Sequence, residues 1–414
     1  MKTISSKTSF WIVAWVLTIS LWSSTAPSIE FPIYALQWHL SKAVTTGVFS
    51  IYPIVLILVL FLLGNISEYI GRRNTLITGL TFLLIGAVVF ATAQNVAWLF
   101  AGRVFQGFGV GLTVGSGAAA LVEYNPSPNK KLPGSINTIT QAVGLFLATI
   151  VGAALIKYAP SPLYFSYWVL AVLVLVSIIL CLFLPKGATT QSVIKPAFKM
   201  QGVKVPKGLW GVYLLAALAI GTGFANGAVL LSLGAQIARD VIGTQDILVI
   251  GTVLSISYLL ASVSATIAGR LKPVTSIRIG MASIAVAMVL LISAAESHSF
   301  VLFMSSSILG GLAYGFSASG AIGLAVINSP VQNRVQFLSA VLVAAYFFQG
   351  SSAYGGGVAS NALGFSSAIW LMAVIIGILS ILTLLFTLRK GKEAQPSILI
   401  NRFESPTMWK NNQE

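Results

Sequence analysis

The chain has 414 residues, 57% of them hydrophobic and only 8% charged, with a mean hydropathy of +0.91. A soluble chain of this length needs far more polar surface to cover its domains, so the apolar excess faces lipid and an ordinary water-soluble fold is excluded. A net charge of +15 would suit a nucleic-acid binder only if the basic residues formed a patch on a polar domain, and their distribution points elsewhere.

The N-terminus, MKTISSKTSF, runs into an apolar segment without a small-residue cleavage site and is expected to be a retained span. Runs with helical spacing follow at 10–35, 43–63, 75–94, 97–122, 134–157, 162–184, 209–236, 247–268, 277–295, 299–326, 336–361 and 365–388. Each has the roughly 20 residues that a spanning helix requires. Twelve spans place both termini on one side. Of the 24 Lys and Arg, only Lys42, Lys157 and Arg239 then fall on the opposite side and Arg103 within a span, which leaves the other 20 on the side of the termini. By the positive-inside rule that side is expected to be cytoplasmic, and the basic balance is topological, with no nucleic-acid partner.

The polar stretch 185–208, rich in Lys and Pro, is expected to be a cytoplasmic linker between two six-span halves, 1–184 and 209–388, with 389–414 as a cytoplasmic tail. At an offset of 204 residues Gly107 and Gly111 align with Gly311 and Gly315, and Gly152 with Gly356, a trace of internal duplication. Cys181 is the one cysteine, in an apolar run, so neither a disulfide nor a thiolate metal site is expected. His39 and His298 fall in loops without ligand partners at metal spacing, and no metal or cofactor is expected. Asp240 and Asp246 bracket the loop after span seven and read as solvated.

Two charged residues lie well inside spans. Glu30, in TAPSIEFPIY, is about six residues inside span one, and Arg103 about six residues inside span four. At about 1.5 Å per residue they share nearly one depth. A charge at membrane depth needs a cavity or a partner, so the two are expected in one central aqueous pocket where Glu30 alternates between protonated and ionised forms. The competing readings are an acid in outside water, if span one ends at Pro32, and an arginine that holds backbone carbonyls. Pro27 and Pro32 flank Glu30 and free carbonyls of the helix. The glycines of span four, Gly107 to Gly117, favour close helix packing, and a dinucleotide loop is excluded because no strand precedes them. Tyr34, Tyr52, Tyr258, Tyr314, Tyr346 and Phe347, with Asn226 in GTGFANG, are candidates to line a cavity, whereas tryptophans such as Trp11, Trp168 and Trp210 lie near span ends as an interfacial belt.

The segment GNISEYIGRRNTL (64–76) joins spans two and three. Gly64 permits close backbone approach, Gly71 a left-handed turn, and Arg72 and Arg73 anchor the inside face. Glu68 is positioned to meet the positive start of a neighbouring helix such as span eleven, near Gln336, and Glu123 to pair with Arg72 or Arg73 in a cytoplasmic closure. The spacing G-x3-E-x2-G-R-R resembles the loop 2–3 signature of the major facilitator superfamily, with Glu68 in place of the usual Asp and Tyr69 where a basic residue is common. RVFQGFGVG (103–111) is similar to the R-x2-Q-G-x-G motif of that superfamily's proton-coupled exporters, placing Arg103, Gln106 and Gly107 in it. GLFLATIVGA (144–153) looks like a worn copy of the exporters' G-x3-G-P-x2-G-G motif, keeping Gly144 and Gly152.

The resemblance implies an all-α integral membrane fold of twelve helices in two six-helix bundles, monomeric, in the cell membrane. It also implies a non-enzymatic secondary transporter that exports amphiphilic small molecules by proton antiport, with the proton gradient as its energy source. A proton-coupled importer of a metabolite is the alternative. A membrane-embedded enzyme would need a cluster of His, Asp or Glu at one face, which nine scattered acids and two histidines do not offer, and a receptor would leave the shared depth of Glu30 and Arg103 unexplained.

Overall fold

A computed structural model of the chain describes residues 4–128, 132–185, 205–244, 246–329 and 334–390. Residues 186–204 of the expected linker and 391–414 of the expected tail lie outside the described residues. Among those described, every regular element is helical: α1 Ser6–Gln37, α2 Lys42–Leu63, the short α3 Ile66–Ile70, α4 Arg72–Ala91, α5 Val96–Glu123, α6 Leu132–Tyr158, α7 Pro162–Leu182, α8 Trp210–Gln236 with a π-helical extension Ile237–Val241, α9 Ile247–Ala268, α10 Pro273–Ser297, α11 Phe300–Asn328, α12 Arg334–Leu363 and α13 Phe365–Lys390. Twelve of them are long and apolar enough to cross a membrane. Helices satisfy their own backbone groups, which is what an apolar solvent demands of any element that crosses it. Ser5, Ser41, Asn95, Asp246 and Ser299 cap α1, α2, α5, α9 and α11 by accepting a backbone N–H in the first turn.

The outer shell carries large apolar side chains turned away from the protein, such as Leu58, Val172, Val289 and Leu382, each more than half exposed. Water would not tolerate so continuous an apolar coat, and lipid does. Inside, one core joins α1 to α7 and a second joins α8 to α13; the first also takes in Tyr258, Tyr346 and Ala353 from the second half, so it crosses the boundary.

Helix α5 is the packing hub of the first half, and its glycines explain why. Gly107 and Gly111 leave room for Val55 and Val59 of α2, Gly109 for Leu83 of α4, and Gly117 for Leu17 of α1. Gly311 and Gly315 of α11 take Ser257 and Ala261 of α9 in the same way, so the two glycine pairs aligned by the 204-residue offset play matching parts in the two halves. The halves meet along two seams, α2 against α12 and α6 against α9. Both seams are tightest at the face opposite the termini, here called the far face: Ser50 Oγ donates to the Gly350 carbonyl at 3.0 Å, Gly357 sits against Thr46, and Gly251 against Ala153.

The loop between α2 and α4 needs glycine at Gly71, as expected, though not in the left-handed helical turn: φ of +84° with ψ of 153° is an extended conformation open to glycine, and it turns the chain into α4. A Cβ at Gly64 would stand 2.5 Å from the Leu60 carbonyl oxygen, so the close approach there is to its own helix end.

The two glycines of the span-five segment differ. A Cβ at Gly144 would stand 2.4 Å from the Thr18 carbonyl oxygen and 3.1 Å from the Trp22 nitrogen of α1, backbone atoms that cannot yield, whereas one at Gly152 would meet only the Ile29 side chain at 3.3 Å. Gly144→Ala is therefore expected to destabilise by about 1–3 kcal/mol, seen as a lower melting temperature in detergent, with Gly152→Ala within about 1 kcal/mol of the parent.

Candidate functional site

Helix α1 continues through Pro27 and Pro32 to Gln37, so Glu30 lies within a helix and not at its end. Each proline lacks an N–H and strands the carbonyl four residues earlier. The carbonyl that Pro27 strands belongs to Ser23, and Gln106 of α5 donates to it from Nε2 at 2.7 Å. Arg103 Nη1 donates to the next carbonyl, Ser24, at 2.5 Å and to Gln106 Oε1 at 3.0 Å. The guanidinium is fully buried beneath the rings of Phe31, Phe49 and Tyr52, at 4.8, 5.5 and 5.8 Å from their centroids. Three aromatic faces and one backbone carbonyl thus hold a full positive charge in an apolar interior.

Glu30 is equally buried, at 0% exposure, and is the one buried acid among the described residues. The expectation of a central aqueous pocket shared with Arg103 is corrected: Glu30 turns between α1 and α7, where Ser166 donates to its Oε1 and Tyr34 and Tyr167 stand beside it. No ion pair joins Glu30 to Arg103, although the two charges lie within electrostatic reach. Idle hydrogen-bonding capacity remains on both sides, on Glu30 Oε2 and on Arg103 Nε and Nη2. Arg103 is accordingly the carbonyl holder that was one of its two readings, with donors to spare.

The candidate cavity residues separate into three groups. Tyr52 of α2, Tyr346 of α12 and Tyr314 of α11 gather at mid-membrane between the halves, within electrostatic reach of one another. Phe224 of α8 completes the group, stacked on Tyr314 at 5.1 Å and edge-on to Tyr346 at 5.5 Å. Tyr258 belongs to the core that crosses the boundary, with its hydroxyl unpartnered. Tyr34 does not line a cavity; its hydroxyl donates to the Leu163 carbonyl at 3.3 Å beside the acid. Asn226 is a tie between helices, donating to the Gly310 carbonyl at 3.1 Å, and Phe347, 63% exposed, lines with Tyr346 an open cavity of about 570 Å³ between α2 and α12. Phe224 and Tyr314 are half-buried at the middle of their helices, so the packing around this aromatic cluster is incomplete.

On the face of the termini, Arg72 Nε lies 3.6 Å from Glu123 Oε2 and its guanidinium also reaches Ser67. Glu68 is exposed and forms no ion pair among the described residues. Asp240 and Asp246 are exposed, as expected, and each is also paired, with Lys42 and Lys157. Sequence reasoning missed Ser166, Tyr167 and Phe224. Phe224 sits two residues before the polar Asn226 in GTGFANG, but nothing in the run of span six marks Ser166 as facing Glu30.

Twelve membrane-length helices pack as two halves, with an aromatic cluster between them and a buried acid inside the first. The profile of the Major Facilitator Superfamily matches residues 11–292, and the chain belongs to that superfamily, which makes it a multi-pass membrane transporter. It is 34% identical over 145 residues to the major facilitator superfamily multidrug transporter mfsC of Aspergillus fumigatus, 34% of this chain and 27% of that protein. It is 29% identical over 133 residues to the multidrug efflux protein YfmO of Bacillus subtilis (29% and 34%), and 32% identical over 89 residues to sugar transporter ERD6-like 6 of Arabidopsis thaliana (22% and 18%). These matches span between 18% and 34% of each relative's length.

The Gln106 amide carries a stability prediction. Gln106→Leu strands the buried Ser23 carbonyl and removes an acceptor from Arg103, and is expected to destabilise by about 1–3 kcal/mol, read as a fall in melting temperature of the purified protein.

Proposed function

We propose that this transporter exports amphiphilic small molecules, drug-like compounds or metabolites, in exchange for protons across the cell membrane, with both termini cytoplasmic. The observation that carries the reading is Glu30: a carboxyl group sealed inside a bundle, bonded by Ser166, with a free oxygen and a nearby arginine that holds unused donors. Burial of a carboxyl group without a cation partner suits its neutral form, whereas exposure to water suits ionisation. A carboxyl group whose surroundings alternate between the two carries one proton per cycle.

Arg103 supplies the link to shape. In the sealed state it spends its hydrogen bonds on the interrupted ladder of α1; when Glu30 ionises, its idle Nε and Nη2 have an acceptor to turn towards. A move of the guanidinium loosens the Ser24 carbonyl on one side and its cover of Phe31, Phe49 and Tyr52 on the other. Tyr52 is within reach of Tyr314 and Tyr346, so the proton site and the aromatic gap are joined through neighbouring side chains. The gap offers ring faces and hydroxyls without a fixed charge, which fits an amphiphilic, partly aromatic cargo. Lysines and arginines concentrated on the side of the termini support the orientation, and the likeness to two multidrug transporters supports the cargo class.

A second reading, proton-coupled import of a metabolite, is favoured by the likeness to sugar transporters, among them the glucose transporter GlcP of Staphylococcus epidermidis. Accumulation of ethidium, chloramphenicol and radiolabelled glucose in cells producing the protein, with and without a protonophore, separates the two. Export lowers retention of the first two compounds and import raises glucose. Glu30→Gln is expected to reduce pH-driven transport in proteoliposomes to background while leaving cargo binding in place. Transport that still follows the imposed pH gradient in that variant defeats the assignment of Glu30.

A further inference from the structure

Only three basic residues were placed on the far side, and two of them are engaged. Lys42 opens α2 and Lys157 lies in the last turn of α6, both in the first half; Asp240 lies in the π-helical end of α8 and Asp246 caps α9, both in the second. Lys42 Nζ stands 3.2 Å from Asp240 Oδ2, and Lys157 Nζ 2.8 Å from Asp246 Oδ2. Lys42 Nζ also lies 3.4 Å over the ring of Phe365 at the start of α13. One pair therefore sits by each seam at the far face, and both lysines come from one half and both aspartates from the other. These are the ion pairs that join the halves among the described residues; the remaining pair, Arg72 with Glu123, lies within the first half on the other face.

We propose that the two ion pairs form a double latch that holds the far face shut, and that opening towards that face requires both to break. The π-helix supports a moving part: such turns are rare and cluster at functional sites, and this one sets Asp240 beside Lys42 in a segment closed by Ile242 and Thr244 N–H groups reaching back to Ile237 and Ala238. Each pair is part-exposed, with side chains 30–50% accessible, so each is weak enough to break in a working cycle and is screened by salt. The close contacts beneath, at Gly357 and Gly251, involve no charged group and are little affected by salt, so ionic strength separates the latch from the packing below it. The inference rests on the two halves rocking but not on the cargo or the proton.

The test uses the full chain with Cys181→Ser, Gln94→Cys and Ser297→Cys, the latter two exposed on far-face turns of opposite halves, spin-labelled for distance measurement by pulsed electron resonance in nanodiscs. The parent is expected to show one short distance at low salt. Lys42→Ala with Lys157→Ala should raise the longer-distance population about three- to tenfold, and high salt should do the same to the parent but not to that variant. Lys42→Asp should open the face and addition of Asp240→Lys should close it again, without touching the cap that Asp246 provides. A distance distribution indifferent to both salt and the lysine variants, or a swapped pair as open as Lys42→Asp alone, overturns the latch. The salt titration needs no substitution in the latch, so a lysine variant that fails to fold still leaves a deciding measurement, and no cargo is involved, so failure of export leaves the outcome readable.

Discussion

A guanidinium ion that cannot be neutralised lies fully buried in the apolar interior of the first half, and the geometry around it follows from the need to satisfy it. Arg103 takes its acceptors from α1, which has them to give because Pro27 withholds an N–H from the helix ladder. Gln106, one turn on, takes the carbonyl that the proline strands. The interrupted ladder of α1 at Pro27, the position of Glu30 just beyond it and the close approach of α5 are therefore one arrangement. Were Pro27 absent, the Ser23 carbonyl would be occupied and Gln106 would have no reason to face it.

The same helix explains why the arrangement is tight. With glycines on several faces, α5 lets α2 and α4 approach to backbone distance and admits Leu17 of α1, and α11 repeats the pattern against α9 in the second half. Without a hydrophobic drive between helices in lipid, such close packing and a few interhelical hydrogen bonds supply the cohesion. The seams between the halves are different in kind. They combine small residues with part-exposed ion pairs at the far face, contacts that separate and reform at lower free-energy cost than the interlocked interior of either half.

Much of the fold was legible in the sequence because lipid imposes a simple pattern: the twelve apolar runs became twelve helices with ends shifted by a few residues. The motif turn at Gly71 and the glycine pairs at offset 204 were legible for the same reason, since a position without room or with positive φ accepts little else. The site was legible in depth but not in direction. Glu30 and Arg103 were placed at one level from residue counts, yet counting does not say which way a side chain turns about its helix, and Glu30 turns to α7. Tyr34 and Asn226 were misjudged likewise: each finds a carbonyl in a neighbouring helix, a partner no one-dimensional pattern encodes. Asp240 and Asp246 are solvated as read, but their partners were not legible because the lysines stand 198 and 89 positions away.

Separation of the proton site from the aromatic gap bears on how binding and proton uptake compete. Were Glu30 inside the cargo cavity, cargo and proton would exclude each other by direct contact. On the proposed reading, with Glu30 set behind Arg103 and Tyr52, competition acts through shape: ionisation draws on the arginine, and the arginine holds or releases the α1 carbonyl at Ser24 and its place under Tyr52. Coupling of this kind is a free-energy difference between two arrangements of packed side chains and is reciprocal, so a cargo that favours one arrangement must shift proton binding by the same factor. It also places little demand on the cargo's own charge, since no carboxylate among the described residues faces the gap. A neutral amphiphile and a cation then differ only in how they meet the ring faces of Phe224, Tyr314 and Tyr346, which is the property expected of a site that accepts chemically varied cargo.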